Sequence, residues 1–284
     1  MNPSNFTWLA AFLKSKSGLI LSNDKQYLID TRLTPIVRAN GLNDLDGLVT
    51  ALKRGSSALE KNVIEAMTTN ETFFFRDKTP FDNLSEEILP VLLKNRANRR
   101  LRIWCAAASS GQEPYSIAMT IREMGQATAG WTFEIVGTDI STEVLEKAEK
   151  GQYSQFEVQR GLPVQHLLKY FTQKGETWEI DAGLRRMVRY KQMNLLDNLS
   201  SLGKFDIIFC RNVLIYFDRE TKSEILSRVH AMMAPDGYLL LGAAETVVGI
   251  TDKFVPSSGR RGLYTRSDAG EKPVATPHLK LAVG

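Results

Sequence analysis

Two acids stand where an α/β fold places its ligands. Glu113 lies in "SSGQEPYS" (109–116) and Asp139 in "VGTDIS" (136–141). Each follows a short apolar run and precedes a helix-like segment, and open parallel sheets bind ligands at the carboxyl ends of their strands. The stretch Ala106-Ala107-Ala108-Ser109-Ser110-Gly111 ahead of Glu113 is all small, so a ligand can approach the backbone closely. Alone, Glu113 need do no more than complement a helix dipole, and Asp139 can equally be the N-cap of a helix beginning near Thr142. As a pair they select for ligand charge. A dinucleotide's pyrophosphate needs bare N–H groups and no carboxylate nearby. A ligand with a sulfonium and an α-ammonium suits Glu113, and an acid at position 139 can accept from both ribose hydroxyls of an adenosine. These two residues fit S-adenosylmethionine and fit NAD poorly.

Other candidates follow later strand patterns. "MNLLD" (193–197) offers Asn194 and the Leu195 backbone beside an adenine ring, and "CRNVLIYFD" (210–218) carries Arg211, Asn212 and Tyr216. "MTTNETFFFRD" (67–77) sets three phenylalanines, Phe73 to Phe75, among polar Asn70, Thr72 and Arg76. The aromatics read as a plug at a domain interface, which has no use for the polar three. Arg76 by itself is equally a solvated or ion-paired side chain. Cys105 and Cys210 end neighbouring strand patterns, where a redox pair is conceivable, but small buried hydrophobes are the better reading. His166, His230 and His278 show no ligand spacing, so no metal site is assigned.

The elements that must position these residues fall into two kinds. Residues 1–85 read as an N-terminal helical domain. Phe6, Leu9, Ala10 and Leu13 share one face before a stop at Gly18; Ile29, Leu33, Ile36 and Val37 mark a second helix; Leu45, Leu48, Val49 and Leu52 a third. Ser57-Ala-Leu-Glu60 reads as a capping box opening a fourth. From 86 to 266 strands and helices alternate, which predicts a parallel, Rossmann-like sheet covered on both faces. Its strands are "LRIWCAA", "FEIVGTDI", "MVRYKQMNLL", "FDIIFCRN" and "YLLLGAA", with Pro235-Asp236-Gly237 closing the helix before the last. Residues about 152–190 predict a small β-rich insertion with a hairpin about Asp181-Ala182-Gly183. Residues 267–284 have no sustained period and predict a disordered tail.

Composition excludes little. At 284 residues, with 43% hydrophobic and 24% charged side chains, the chain reads as an ordinary soluble globular protein. A net charge of +4 permits an acidic partner without demanding nucleic acid. No apolar run approaches the ~20 residues of a membrane span, and two cysteines inside apolar runs fit a reducing cytoplasm. Lys25, Arg32, Arg38 and the five cations of "KNRANRRLR" (94–102) are either a docking face for an acidic partner or solvated helix surface.

Taken together, "TTNETFFFRD", "RIWCAAASSGQEPYSIAM", "GTDIS", "LEKAEKGQY", "MNLLD", "FDIIFCRNVLIYFD" and "PDGYLLLGAAE" resemble the chemotaxis receptor methyltransferase (CheR) family over residues 5–266. The resemblance implies an S-adenosylmethionine-dependent protein-glutamate O-methyltransferase, monomeric and cytoplasmic. Its substrates would be glutamates on the cytoplasmic helical bundle of methyl-accepting receptors, and S-adenosylhomocysteine its product. By motif, Asn70, Thr72 and Arg76 would contact cofactor or reaction centre. Glu113 would hold the methionine ammonium beside Ala107, and Asp139 the ribose. Asn194 and Leu195 would lie along the adenosine, Arg211 and Asn212 would complete the pocket, and Tyr216 would face the methyl. A glutamate is already ionised at neutral pH, so no general base is required.

Two departures stand out. The segment from "YF" (170–171) to "NLL" (194–196) is short for the form that docks a receptor's C-terminal tethering peptide, which predicts methylation without that tether. Gln112 replaces an acid of the family's "STGEEPYS". The competing readings are a catalytically silent S-adenosylmethionine-binding regulator and a nucleic-acid methyltransferase. Against the second, "RNVLIYF" stands where amino-directed members often carry Asn/Asp-Pro-Pro-Tyr.

Overall fold

The computed structural model describes residues 1–22 and 25–269. The expectation for the tail beyond 269 lies outside the described residues. Four helices come first: α1 (Pro3–Ser17), α2 (Gln26–Ala39), α3 (Leu45–Lys53) and α4 (Ser57–Met67). They close on a core of their own, with Leu9, Leu13, Ile29, Leu33, Leu48 and Val63 fully buried. The i, i+3, i+4 spacing of these residues puts one apolar stripe per helix toward that core. Gly18 ends α1 in the left-handed conformation (φ 75°) with its amide on Lys14. The cap of α4 is one residue earlier than expected: Ser56 accepts from the Leu59 amide, and Glu60 pairs with Lys16 instead of closing a capping box.

Two short helices, α5 (Thr79–Asn83) and α6 (Leu89–Asn95), lead into the sheet. The alternation then runs β1 (Arg100–Ala106), α7 (Gln112–Glu123), β2 (Thr132–Asp139) and α8 (Thr142–Lys150). The insertion supplies β3 (Gln152–Ser154), α9 (Gln155–Gln159), α10 (Val164–Tyr170), β4 (Phe171–Lys174), β5 (Thr177–Ile180) and α11 (Ala182–Arg185). The main sheet resumes with β6 (Val188–Gln192), β7 (Phe205–Cys210), α12 (Arg219–Met232), β8 (Met233–Leu241), β9 (Phe254–Pro256) and β10 (Leu263–Arg266).

The seven strands of that sheet lie in the order β6-β2-β1-β7-β8-β10-β9. The first five pair in parallel, as the sequence pattern predicts, but β10 and β9 add an antiparallel edge that it did not show. The period of two along each strand divides the core between two faces. Leu101, Ile103 and Cys105 of β1 enter one cluster, while Trp104 and Ala106 enter the other. That division separates the cysteines: Cys105 and Cys210 are fully buried on opposite faces, so no redox pair exists.

The insertion is a three-stranded antiparallel sheet, β3-β5-β4. Its hairpin turns at Gly175 (φ 62°), not at Asp181-Ala182-Gly183. The Asp181 carboxylate instead takes the amides of Gly183 and Leu184 and caps α11. Pro235-Asp236-Gly237 likewise does not close a helix. It lies inside β8, where pairing with β7 shifts register between Phe205 and Ile207.

Four of the eight cations considered for docking, Arg32, Arg96, Arg100 and Arg102, serve the fold. Arg32 donates to the carbonyls of Met67 and Thr68 (2.8 and 2.9 Å) and to the Thr69 hydroxyl, fastening the end of α4. Arg96 bridges Asp206 and Asp236, and Arg100 and Arg102 share Glu134. Arg38 remains exposed on α2.

Candidate cofactor and active site

The strand order reverses direction between β1 and β7, and at such a switch point the loops leaving two neighbouring strands diverge and open a crevice. Here the crevice is roofed by the end of α1 and the segment after α4. Every residue expected at the cofactor or the reaction centre lines it: Asn70, Thr72, Arg76, Ala107, Glu113, Asp139, Asn194, Leu195, Arg211, Asn212 and Tyr216.

The loop after β1 is held in an uncommon conformation. Ala107 (φ 64°), Ser109 (φ 49°) and Gly111 (φ 91°) are all left-handed, and for alanine and serine that costs energy the surroundings must offset. Ser109 does so twice, donating its amide to Asp139 Oδ2 (2.9 Å) and its hydroxyl to the Asn70 carbonyl (2.8 Å). Gly111 has no alternative, since a Cβ there would come within 2.6 Å of the Tyr190 hydroxyl.

Asp139 is buried, and its other oxygen accepts the Ser141 amide at 3.0 Å. Burial pushes its carboxyl up, and these amide bonds work in the opposite direction. It is not the N-cap of α8. That place belongs to Ser141, and the free amide of Thr142 is taken by Glu65, from α4. Each carboxylate oxygen keeps a lone pair for a hydroxyl donor.

Glu113 sits in the first turn of α7 and meets Arg211 Nη1 at 2.6 Å. Arg211 is almost wholly buried and also holds Asp77 (2.8 Å) and the Arg76 carbonyl (2.8 Å). Burial raises the Glu113 carboxyl, with Arg211 as the main opposing influence. Arg211 Nε is buried with no hydrogen-bond partner. An unsatisfied donor beside a part-buried carboxylate suits a zwitterionic ligand end, because such an end brings both an acceptor and a cation. With two carboxylates and a loop of small residues, the site fits S-adenosylmethionine.

Arg76 donates Nη1 to the Glu71 carbonyl (2.9 Å) and lies 5.6 Å from the centre of the Phe73 ring. Arg160 of the insertion lies 4.5 Å from that same ring. The three phenylalanines therefore divide their work. Phe74 is fully buried edge-on to Tyr153 and Phe171, Phe75 packs on Phe81 and His166, and Phe73 carries the two guanidinium groups.

The share of α1 and the residues just after it in the wall was not foreseen. Ser17 and Leu19 line the cleft, Asn194 Nδ2 donates to the Lys16 carbonyl (2.6 Å), and the Ile20 amide donates to the Tyr216 carbonyl (3.1 Å). A Cβ on Gly18 would come within 2.8 Å of the Phe217 ring. Only that glycine, at a helix end, was visible in the sequence.

Sheet order and site together define a methyltransferase that binds S-adenosylmethionine. Residues 70–263 match the CheR methyltransferase SAM binding domain, and residues 4–68 match the CheR methyltransferase all-alpha domain. The chain is 43% identical over 257 residues to chemotaxis protein methyltransferase 1 of Pseudomonas aeruginosa, covering 88% of this chain and 93% of that one. It is 41% identical to chemotaxis protein methyltransferase Cher2 of Pseudomonas putida, covering 88% and 93%. It is 43% identical to chemotaxis protein methyltransferase 1 of Vibrio cholerae, covering 86% and 89%. The chain belongs to the CheR methyltransferase family. Among the described residues no helix is long and apolar enough to cross a membrane.

Proposed function

We propose that this protein methylates glutamate side chains on the cytoplasmic helical bundle of methyl-accepting chemotaxis receptors, forming methyl esters for sensory adaptation. The observation that carries the reading is one cleft in which the buried Asp139 and the part-buried Glu113 stand with Arg76 and Arg211 at the switch point of the sheet. S-Adenosylmethionine, when bound, supplies an electrophilic methyl on a sulfonium and leaves as S-adenosylhomocysteine.

The chain's own residues bind and orient. Glu113 would hold the α-ammonium and Arg211 Nε the neighbouring carboxylate, which gives that donor the acceptor it lacks. Asp139 would take the ribose hydroxyls. Asn70, Thr72, Ala107, Asn194, Leu195 and Asn212 would enclose the remainder. Arg76 has one backbone carbonyl as its hydrogen-bond partner and therefore keeps donors for an incoming glutamate, which Tyr216 would help align and shield from water. That carboxylate is ionised at pH 7, so positioning rather than proton removal is the work of the site.

On this reading the enzyme acts as a monomer in the cytoplasm, without nucleic acid and without a receptor tethering peptide. Incubation with labelled S-adenosylmethionine and receptor-containing membranes tests it. Base-labile label on the receptor is the expected result. Cofactor binding with no base-labile label would reduce the protein to a silent regulator, and label on nucleic acid would reassign the substrate.

A further inference from the structure

Glu245 belongs to the loop after β8, contributes nothing to the cleft lining, and is nine-tenths buried. Its carboxylate accepts four backbone N–H groups: Asn212 (2.7 Å), Val213 (2.9 Å), Leu214 (2.7 Å) and Gly242 (2.7 Å). Three of those donors are consecutive and belong to the loop after β7. Successive amides converging on one point form a concave anion site, and here the chain supplies the anion itself.

The loop so gripped is the one that carries the reaction residues. Arg211 precedes the gripped amides, Asn212 is held left-handed (φ 57°), and Tyr216 follows in the same turn. Non-glycine residues seldom adopt that conformation unless the surroundings enforce it. Gly242 makes the grip possible, because a Cβ there would lie 2.7 Å from Glu245 Oε2 and 2.9 Å from the Asn212 amide. The loops after β7 and β8 are thereby locked together by one side chain.

We infer that Glu245 is a positioning residue for methyl transfer. Its carboxylate fixes the 211–216 loop so that Arg211 and Asn212 meet the cofactor and Tyr216 faces the incoming glutamate. The inference rests on the methyltransferase reading of this cleft. Removing the anion leaves four converging donors with no acceptor, and the loop then relaxes toward ordinary backbone angles.

Two variants test it. Glu245→Gln keeps the size of the side chain but turns an NH₂ toward N–H donors. Glu245→Ala opens the anion site to an added small anion. In Glu245→Gln, studied at a temperature where its circular dichroism matches wild type, calorimetry is expected to show cofactor affinity about tenfold weaker and kcat about 100-fold lower. The receptor KM should stay put. Added formate should restore part of both losses in Glu245→Ala while leaving wild type unchanged.

A folded Glu245→Gln that binds and methylates like wild type would overturn the inference, as would formate that restores neither quantity. If Glu245→Ala does not fold, Glu245→Gln alone decides. Failure of wild type itself to bind S-adenosylmethionine would instead sink the underlying functional reading.

Discussion

The carboxylate of Glu65, in the last helix of the helical domain, accepts both the amide (3.0 Å) and the hydroxyl (2.9 Å) of Thr142, at the start of α8. One domain thus caps a helix of the other, directly beyond Asp139. An N-terminal cap supplied from elsewhere satisfies a helix amide as a local one would, but it also ties the cofactor loop to the position of the roof. Glu65→Ala is expected to cost about 1 kcal/mol of stability and to weaken cofactor binding. Glu65→Gln, which keeps an acceptor, should recover most of both. Calorimetry with thermal melts checks this; an unaltered cofactor affinity in Glu65→Ala would mean the roof is irrelevant to binding.

Asp139→Ala removes two amide acceptors and the proposed ribose contact together. Loss of charged hydrogen bonds of this kind costs about 1.5–3 kcal/mol, roughly a 10–100-fold weaker complex. Titration with S-adenosylhomocysteine reads it directly. Affinity equal to wild type would remove Asp139 from the site.

Arg76→Ala is expected to separate chemistry from binding. With Arg211 holding the Glu113 end of the cleft, cofactor affinity should fall only modestly, while methyl transfer drops about 10–100-fold through misplacement of the substrate carboxylate. Steady-state rates beside a cofactor titration give the split. Turnover equal to wild type would take Arg76 out of the mechanism.

A receptor shortened at its C-terminus should be methylated as fast as the full-length receptor. The measurement is base-labile label per receptor, at matched concentrations. Strong dependence on the tail would show that the three-stranded insertion docks a peptide despite its length.

The contact between domains has a pH signature. Asp218 caps α12 and pairs with Lys14 of α1 at 2.7 Å. The lysine bond and the Thr221 amide hold its carboxyl below the usual range, and Asp218 raises Lys14 in turn. A lowered carboxyl contributes stability above its unfolded value of about 3.9, and that contribution is lost as pH falls through the folded value. A raised lysine contributes below about 10.4 and loses its share as pH rises through the folded value. Melting temperature should therefore be insensitive to this pair from about pH 5 to 9. Asp218→Asn should flatten the acid limb, and an unchanged limb would assign it to other carboxylates.

Much of the cleft was legible because strand ends are. A run such as "FEIVGTD" announces its own terminus, and the acid standing there faces the crevice whatever surrounds it. The residues that escaped notice act across long separations. Glu65 looks like a surface charge on an amphipathic helix until Thr142 arrives beside it, and nothing local marks the Lys16 carbonyl as the acceptor for Asn194. Arg32 read as docking face or solvated helix surface for the same reason, since nothing near it in sequence reveals that Met67 and Thr68 end within its reach. Turn chemistry misled in the insertion: Asp181 with a glycine two residues on serves a hairpin or a helix cap equally well, and the ladder between β4 and β5 settled which. The antiparallel edge went unseen because β9 and β10 are three and four residues long, too short to show a period.

The two thiols, sealed on opposite faces of the sheet and pushed up by burial, are the protein's complete cysteine complement. Toward maleimides the folded molecule is chemically blank. A single cysteine introduced on α2 and another on the insertion would thus take fluorophores without background. The distance between the dyes would report, in real time, whether the roof lifts when cofactor enters.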